Sequence, residues 1–221
     1  MKNVMALLKL DFQLIKAWRL WVLMFLGIAV GSALLNQSGI AFIGMAGMFS
    51  AIIMTFPFEM SDKNNLNILY ASLPTNRKSV VFARYLFALA FLVLAIVVGI
   101  AGFFIIDLIF GNDFDFKIMG LMLALAITLF LILVGWQSIF FFKLGYTKGR
   151  LFFWAPIVLL IIIINLPGIL GWFNIDISLG DMFSAVINNA LLSSLIALAV
   201  GATVFTISYF VSCKIYLKKD M

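Results

Sequence analysis

Histidine is absent from this 221-residue chain, cysteine occurs once and proline four times. Without histidine there is no Ser/His/Asp set, and a multi-ligand metal cluster lacks its commonest partners. A single Cys213 cannot close an internal disulfide. It lies near the end of an apolar run, where the plainest role is a small membrane-facing residue, with palmitoylation or redox use as the alternatives. Charge is scarce as well. Only 11% of residues are charged and 65% are hydrophobic, against about a quarter charged and about half apolar in soluble domains. A soluble fold could not hide that much apolar surface, so the surrounding solvent is largely lipid. The net charge of +6 could suit nucleic acid, but its distribution points to membrane topology, and nucleic acid is not an expected partner. Nothing matches G-x-x-x-x-G-K-[ST], since Gly145-Tyr-Thr-Lys-Gly149 lacks its spacing and its Lys-Ser/Thr end. Paired buried carboxylates are missing too. The chain is therefore expected to have no catalytic residues, no metal site and no enzymatic activity of its own.

Residues 1–19 do not read as a cleavable signal, because Lys9, Asp11, Lys16 and Arg19 interrupt the apolar stretch a signal needs. Lys2, Lys9, Gln13 and Lys16 share one helical stripe, and Met5, Leu8, Phe12 and Ile15 share another. This pattern predicts an interfacial helix in the headgroup plane, with Trp18 and Trp21 at interfacial depth. Six apolar runs follow, each measured against the roughly 20 residues that cross a bilayer. They cover about Leu20–Leu35, Gly39–Phe58, Tyr85–Phe110, Ile118–Phe142, Leu151–Leu166 and Asn189–Cys213. A short basic loop, Lys143–Arg150, separates the fourth from the fifth, which Asn165 and Pro167 should close. The segment 167–188 is too apolar for a free loop and too broken for a span. It is expected to form short re-entrant or interfacial helices on the outer face. Of the 15 basic residues, all but Lys117 fall on one side of this pattern, so both termini and the 59–84 loop are expected in the cytoplasm.

That loop is the longest polar interruption. Ser61 or Asp62 can cap a short helix there, on which Leu66, Leu69, Tyr70 and Leu73 share one face. Asn64, Asn65 and Asn67 lie beside that face, and Pro74 stops the helix. Thr75 or Asn76 can then cap a second helix that runs into the next apolar segment. A small apolar face outside the bilayer suits docking to another protein. Glu59 follows Pro57 at the end of the second run and is placed for a salt bridge with Arg77, Lys78 or Arg84. Gln137, beside Trp136, is a candidate interhelical hydrogen bond. Gly27 and Gly31 form a GxxxG, and Gly44 and Gly47 add small faces for close helix contact. No charged residue falls mid-span, which argues against an ion-coupled carrier.

The stretch Leu69-Tyr-Ala-Ser-Leu-Pro-Thr-Asn-Arg-Lys-Ser-Val-Val-Phe-Ala-Arg-Tyr85 resembles the Ser-Leu-Pro-x-x-Arg-x-x-x-Val pattern of ABC-2 type transporter permeases, at Ser72, Leu73, Pro74, Arg77 and Val81. The resemblance is to the group whose ATPase is encoded separately. It extends to the whole architecture: an all-α membrane protein forming one transmembrane domain over 1–221, with an elbow helix, six spans and a broken segment before the sixth. It implies that Asp62–Leu73 is a coupling helix fitting a groove on an ATPase subunit, with Asp62, Asn65, Leu66, Leu69, Tyr70, Leu73 and Arg77 at the contact and Glu59 with Arg84 as a coupling salt bridge. It further implies a second permease, identical or homologous, beside membrane lipids. ATP and magnesium would be held by the partner and no cofactor by this chain. The implied setting is the bacterial plasma membrane. The implied work is export of amphipathic or lipophilic cargo, such as a peptide, an antibiotic or a lipid, and relatives of this kind confer resistance to such peptides. The alternative is a membrane scaffold that recruits a cytosolic partner without transport.

Overall fold

A computed structural model describes residue 8 and residues 11–13, 18–64, 77–171 and 186–218. All regular structure among these residues is helical: α1 (Arg19–Leu35), α2 (Gly39–Ile53), α3 (Phe56–Lys63), α4 (Arg77–Phe110), α5 (Phe116–Gly171) and α6 (Ala190–Lys218). Leu8 and residues 11–13 are helical too. Among the described residues, four stretches are long and apolar enough to cross a membrane: Gly39–Lys63, Lys78–Phe110, Phe116–Leu159 and Ala190–Lys218. α1 is shorter, at 17 residues, or about 25 Å at 1.5 Å per residue. Large apolar side chains face outward along these helices, as at Leu35 (88% exposed) and Leu191 (82%). In water such a surface would aggregate; in lipid it is solvated.

Turn chemistry sets the first connection. Gln37 takes a left-handed φ of 51°, and the Ser38 hydroxyl accepts from the Ile40 amide at 3.3 Å, capping α2. The Gly39 amide, also in that first turn, donates to Asp107 of α4 at 2.8 Å. A carboxylate is stabilised there by orphan amides at the positive end of a helix. Asn112 adds a bond to the Gln37 carbonyl at 2.7 Å, so this end of the bundle is fastened from two sides. Close helix contact follows small residues: a Cβ on Gly39 would lie 2.6 Å from the Phe103 carbonyl oxygen, and one on Gly47 would lie 2.8 Å from Ala126. The expected GxxxG at Gly27 and Gly31 works differently. Neither glycine has a neighbour within 4 Å of a built Cβ, and α1 packs through the opposite pair, Ala29 and Ala33, together with Phe42 and Ile106.

Helix boundaries differ from the sequence reading in three places. α4 begins at Arg77, ahead of the apolar run at Tyr85, where a helix capped at Thr75 or Asn76 would start. The second run breaks at Met54–Thr55 and restarts as α3, with Pro57 in the first turn, where a missing amide costs nothing. Lys143–Arg150 is no loop, since Gly145 alone leaves helical geometry there (φ 76°, ψ 170°). The limb after it lies back along the limb before it. Trp136 donates to the Phe152 carbonyl at 2.9 Å, and Phe140 stacks on Phe152 at 4.6 Å. Finally, Asn165 and Pro167 do not close the fifth run, because α5 continues to Gly171. Pro167 removes one backbone bond, and the helix continues through it. Residues 172–185 of the expected re-entrant segment lie outside the described residues.

The core runs where α4, α5 and α6 meet, around Phe87, Phe130, Val134 and Phe205. Basic ends gather together. Arg84 of α4 reaches Asp11, Lys63 of α3 lies over Trp18, and Phe142 of α5 meets Tyr216 of α6.

Candidate functional site

α3 is short but well signalled. Glu59 occupies its first turn and Lys63 its last, the order the helix dipole favours. The two side chains pair at 2.6 Å with i, i+4 spacing. Ser61 and Asp62, read from sequence as caps that start a helix, lie in the final turn of this one, which ends at Lys63 with Asn64 as its C-cap. Asp62 caps a different helix. Its Oδ2 accepts from the Thr147 amide at 3.1 Å and the Thr147 hydroxyl at 3.2 Å. The Thr147 amide is an orphan donor, because the second limb of α5 starts just after Gly145. Glu59, one helical turn before Asp62, faces the Tyr146 phenol. α3 thus holds the start of the second limb of α5 through Asp62, with Glu59 beside the residue that precedes Thr147. Burial, and then the Glu59 carboxylate, push the Tyr146 phenol up to about 12, so it stays a neutral donor at physiological pH.

The expected Glu59–Arg84 bridge does not form. Glu59 is matched by Lys63, while Arg84 turns inward to Asp11 at 3.4 Å. Both partners of that second pair are buried, at 6% and 3% side-chain exposure. Burial pushes the Asp11 carboxyl up from its ordinary range, and the Arg84 guanidinium pulls it partly back. Arg84 also lies over the Phe58 ring at 4.8 Å, a cation–π contact favoured where water is scarce. Beside it is a cavity of about 30 Å³ lined by Ser61, Asp62, Arg84, Tyr146 and Tyr216 among others. It has room for a water molecule.

Further into the bundle, Tyr85 shares hydrogen bonds with Ser208 at 2.6 Å and Ser212 at 2.9 Å, and Ser208 donates to the Gly135 carbonyl at 2.6 Å. This network ties α4, α5 and α6 together. Sequence reasoning missed it, although serines four apart in an apolar helix were its signal. Gln137 forms the expected interhelical bond, donating to the Ala51 carbonyl at 3.2 Å from a position 1% exposed. Of the predicted docking residues, Asp62 lies at the end of α3 and Arg77 opens α4. Asn65, Leu66, Leu69, Tyr70 and Leu73, like the motif residues Ser72 and Pro74, lie outside the described residues. Among the described residues no group of three His, Cys, Asp or Glu could hold a metal ion.

Long apolar helices joined by buried polar clasps, with lipid-facing side chains around them, define a multi-pass helical membrane protein. The family model for the ABC-2 family transporter protein matches residues 6–217, and the chain belongs to that family, whose members are membrane components of ABC transporters. Neither a curated protein nor a solved structure matches the chain.

Proposed function

We propose that this chain is the permease subunit of an ATP-driven exporter. Its cargo is amphipathic or lipophilic: a peptide, an antibiotic or a lipid, and the transport of antimicrobial peptides would confer resistance to them. Two permeases, identical or homologous, work with two ATPase subunits that hold ATP and magnesium and carry out the hydrolysis. The basic end faces the cytoplasm of a bacterial cell, with both chain ends on that side and six crossings in between. The observation that supports this reading best is the Asp62 contact of α3 with Thr147, just after the break in α5. It lies shortly before residues 65–76, where the sequence pattern puts the docking face Leu66, Leu69, Tyr70 and Leu73. An ATPase that moves this loop would pull on α3, and through Asp62 on the second limb of α5.

One experiment has two arms. Changing Leu69 and Tyr70 together to Asp buries unpaired charge in the groove. It is expected to release the ATPase during co-purification while the chain still inserts. Asp62→Ala removes the acceptor for Thr147 but leaves the docking face intact. It should retain the ATPase and lower cargo-stimulated ATP turnover in vesicles. If the double Asp variant holds its ATPase and transports normally, the loop is a connector. A chain that recovers no ATPase at all supports the scaffold alternative.

A further inference from the structure

A second cavity, of about 290 Å³, opens at the basic end between α1, α2 and the second limb of α5. Trp18, Trp21, Phe153, Trp154, Thr55 and Arg150 are among its lining residues. Three of the five tryptophans of the chain meet here, at the end of the bundle where the basic residues gather. Indoles concentrate at the headgroup level of a membrane because one edge of the ring is apolar and the other donates a hydrogen bond. Trp21 and Trp154 are about half exposed, at 48% and 49%, so the cavity opens toward lipid and not into the core.

The charges around it do not cancel. Lys63, 5.5 Å above the Trp18 ring, is matched by Glu59 at 2.6 Å. Glu59 also faces the Tyr146 phenol. Arg150 lines the cavity and has no ion pair among the described residues. One hydrogen-bond donor in the wall is also unused: the Trp18 indole N–H is buried without an acceptor, an arrangement folded proteins rarely leave standing. An unmatched cation, an idle donor and aromatic walls at headgroup depth suit an anion carried on an apolar tail. The volume is at the small end of ligand pockets, which start at about 300 Å³, and so too small for a peptide.

We propose that this cavity seats the headgroup of an anionic phospholipid, with its phosphate at Arg150 and its acyl chains along the exposed face of α1. The site does not rest on the transport reading, since it concerns the lipid this chain retains and not what it moves. The test uses the intrinsic tryptophan fluorescence of the full-length chain in phosphatidylcholine vesicles. These are doped with brominated phosphatidylglycerol or, separately, with brominated phosphatidylcholine, because bromine quenches indoles only in contact. Half-maximal quenching is expected at about five-fold lower mole fraction of the anionic lipid, the effect of one basic residue near a membrane surface. Arg150→Gln should abolish that preference, and Arg150→Lys should keep it, because a phosphate accepts a point charge. Lys214→Gln, an exposed change at the same end of α6, should leave it untouched. The proposal is overturned by equal quenching from both lipids, by preference that survives Arg150→Gln, or by Lys214→Gln removing as much as Arg150→Gln. Protection of the indoles from both lipids would also overturn it, because a protein surface would then cover the cavity.

Discussion

Arg84 carries its charge to a place where 6% of its side chain meets solvent. An arginine keeps its proton in any protein environment, whereas a buried carboxyl can take one up. The Asp11–Arg84 pair is therefore asymmetric. Asp11→Leu leaves an uncompensated guanidinium and should cost about 3 kcal/mol, the usual penalty for breaking a buried pair. Arg84→Met leaves a carboxyl that burial already drives toward its neutral form, so it should cost less. The double variant, Asp11→Leu with Arg84→Met, should recover most of the loss. Thermal melting of the three proteins in one detergent checks the order. A larger loss for Arg84→Met than for Asp11→Leu would contradict it. From the sequence alone Arg84 was assigned to Glu59, which is nearer in the chain and lies on the same side of the membrane. Its true partner is 73 positions away, and nothing local signals that pairing.

At the scale of an element, the break in α5 depends on one residue. Gly145 has φ 76° and ψ 170°, a region that is essentially glycine's alone and costs an L-residue about 1–3 kcal/mol. A Cβ there would also press on the Asp62 carboxylate at 3.2 Å. Gly145→Ala should therefore destabilise the protein by about 2 kcal/mol, strain and crowding together. Gly120 lies in the same helix with open space around it, and Gly120→Ala should be neutral or stabilise by up to about 1 kcal/mol through helix propensity. Chemical or thermal unfolding in detergent separates the two, and equal shifts would mean that Gly145 carries no special role. The eight residues Lys143–Arg150 read as a loop because of their charge. Helical backbone tolerates exposed lysines, so polarity marked the turn without giving its length. The opposite error occurred at Pro167, where a breaker residue sits within a helix that continues to Gly171.

Across the whole molecule the two ends differ in chemistry. One end collects Arg84, Lys63, Arg150 and three tryptophans, Trp18, Trp21 and Trp154; the other is fastened by Asp107, Gly39, Gln37 and Asn112. If the basic end is cytoplasmic, a cysteine at Asn112 in a Cys213→Ser background should react with an impermeant thiol reagent in intact cells. One at Asn65 should react only after permeabilisation. Labelling of Asn65 from outside would reverse the orientation.

Composition and the order of apolar and basic segments determined that this is a helical membrane protein, and they marked the apolar runs that its long helices contain. They could do so because lipid demands internally satisfied backbone and long apolar runs, both of which are local properties of a chain. The stretch around Ser72–Val81 was enough to indicate the family that the match over 6–217 bears out. Partnership among the rare polar groups was decided only in three dimensions. Asp62 could equally have capped its own helix, Glu59 could have paired with any of three cations, and GxxxG could have made the α1 contact that Ala29 and Ala33 make. Each choice depended on which helix face turned toward which neighbour. In an apolar helix that rotation is set by packing around the whole bundle, since almost every face is greasy enough to be buried or to meet lipid.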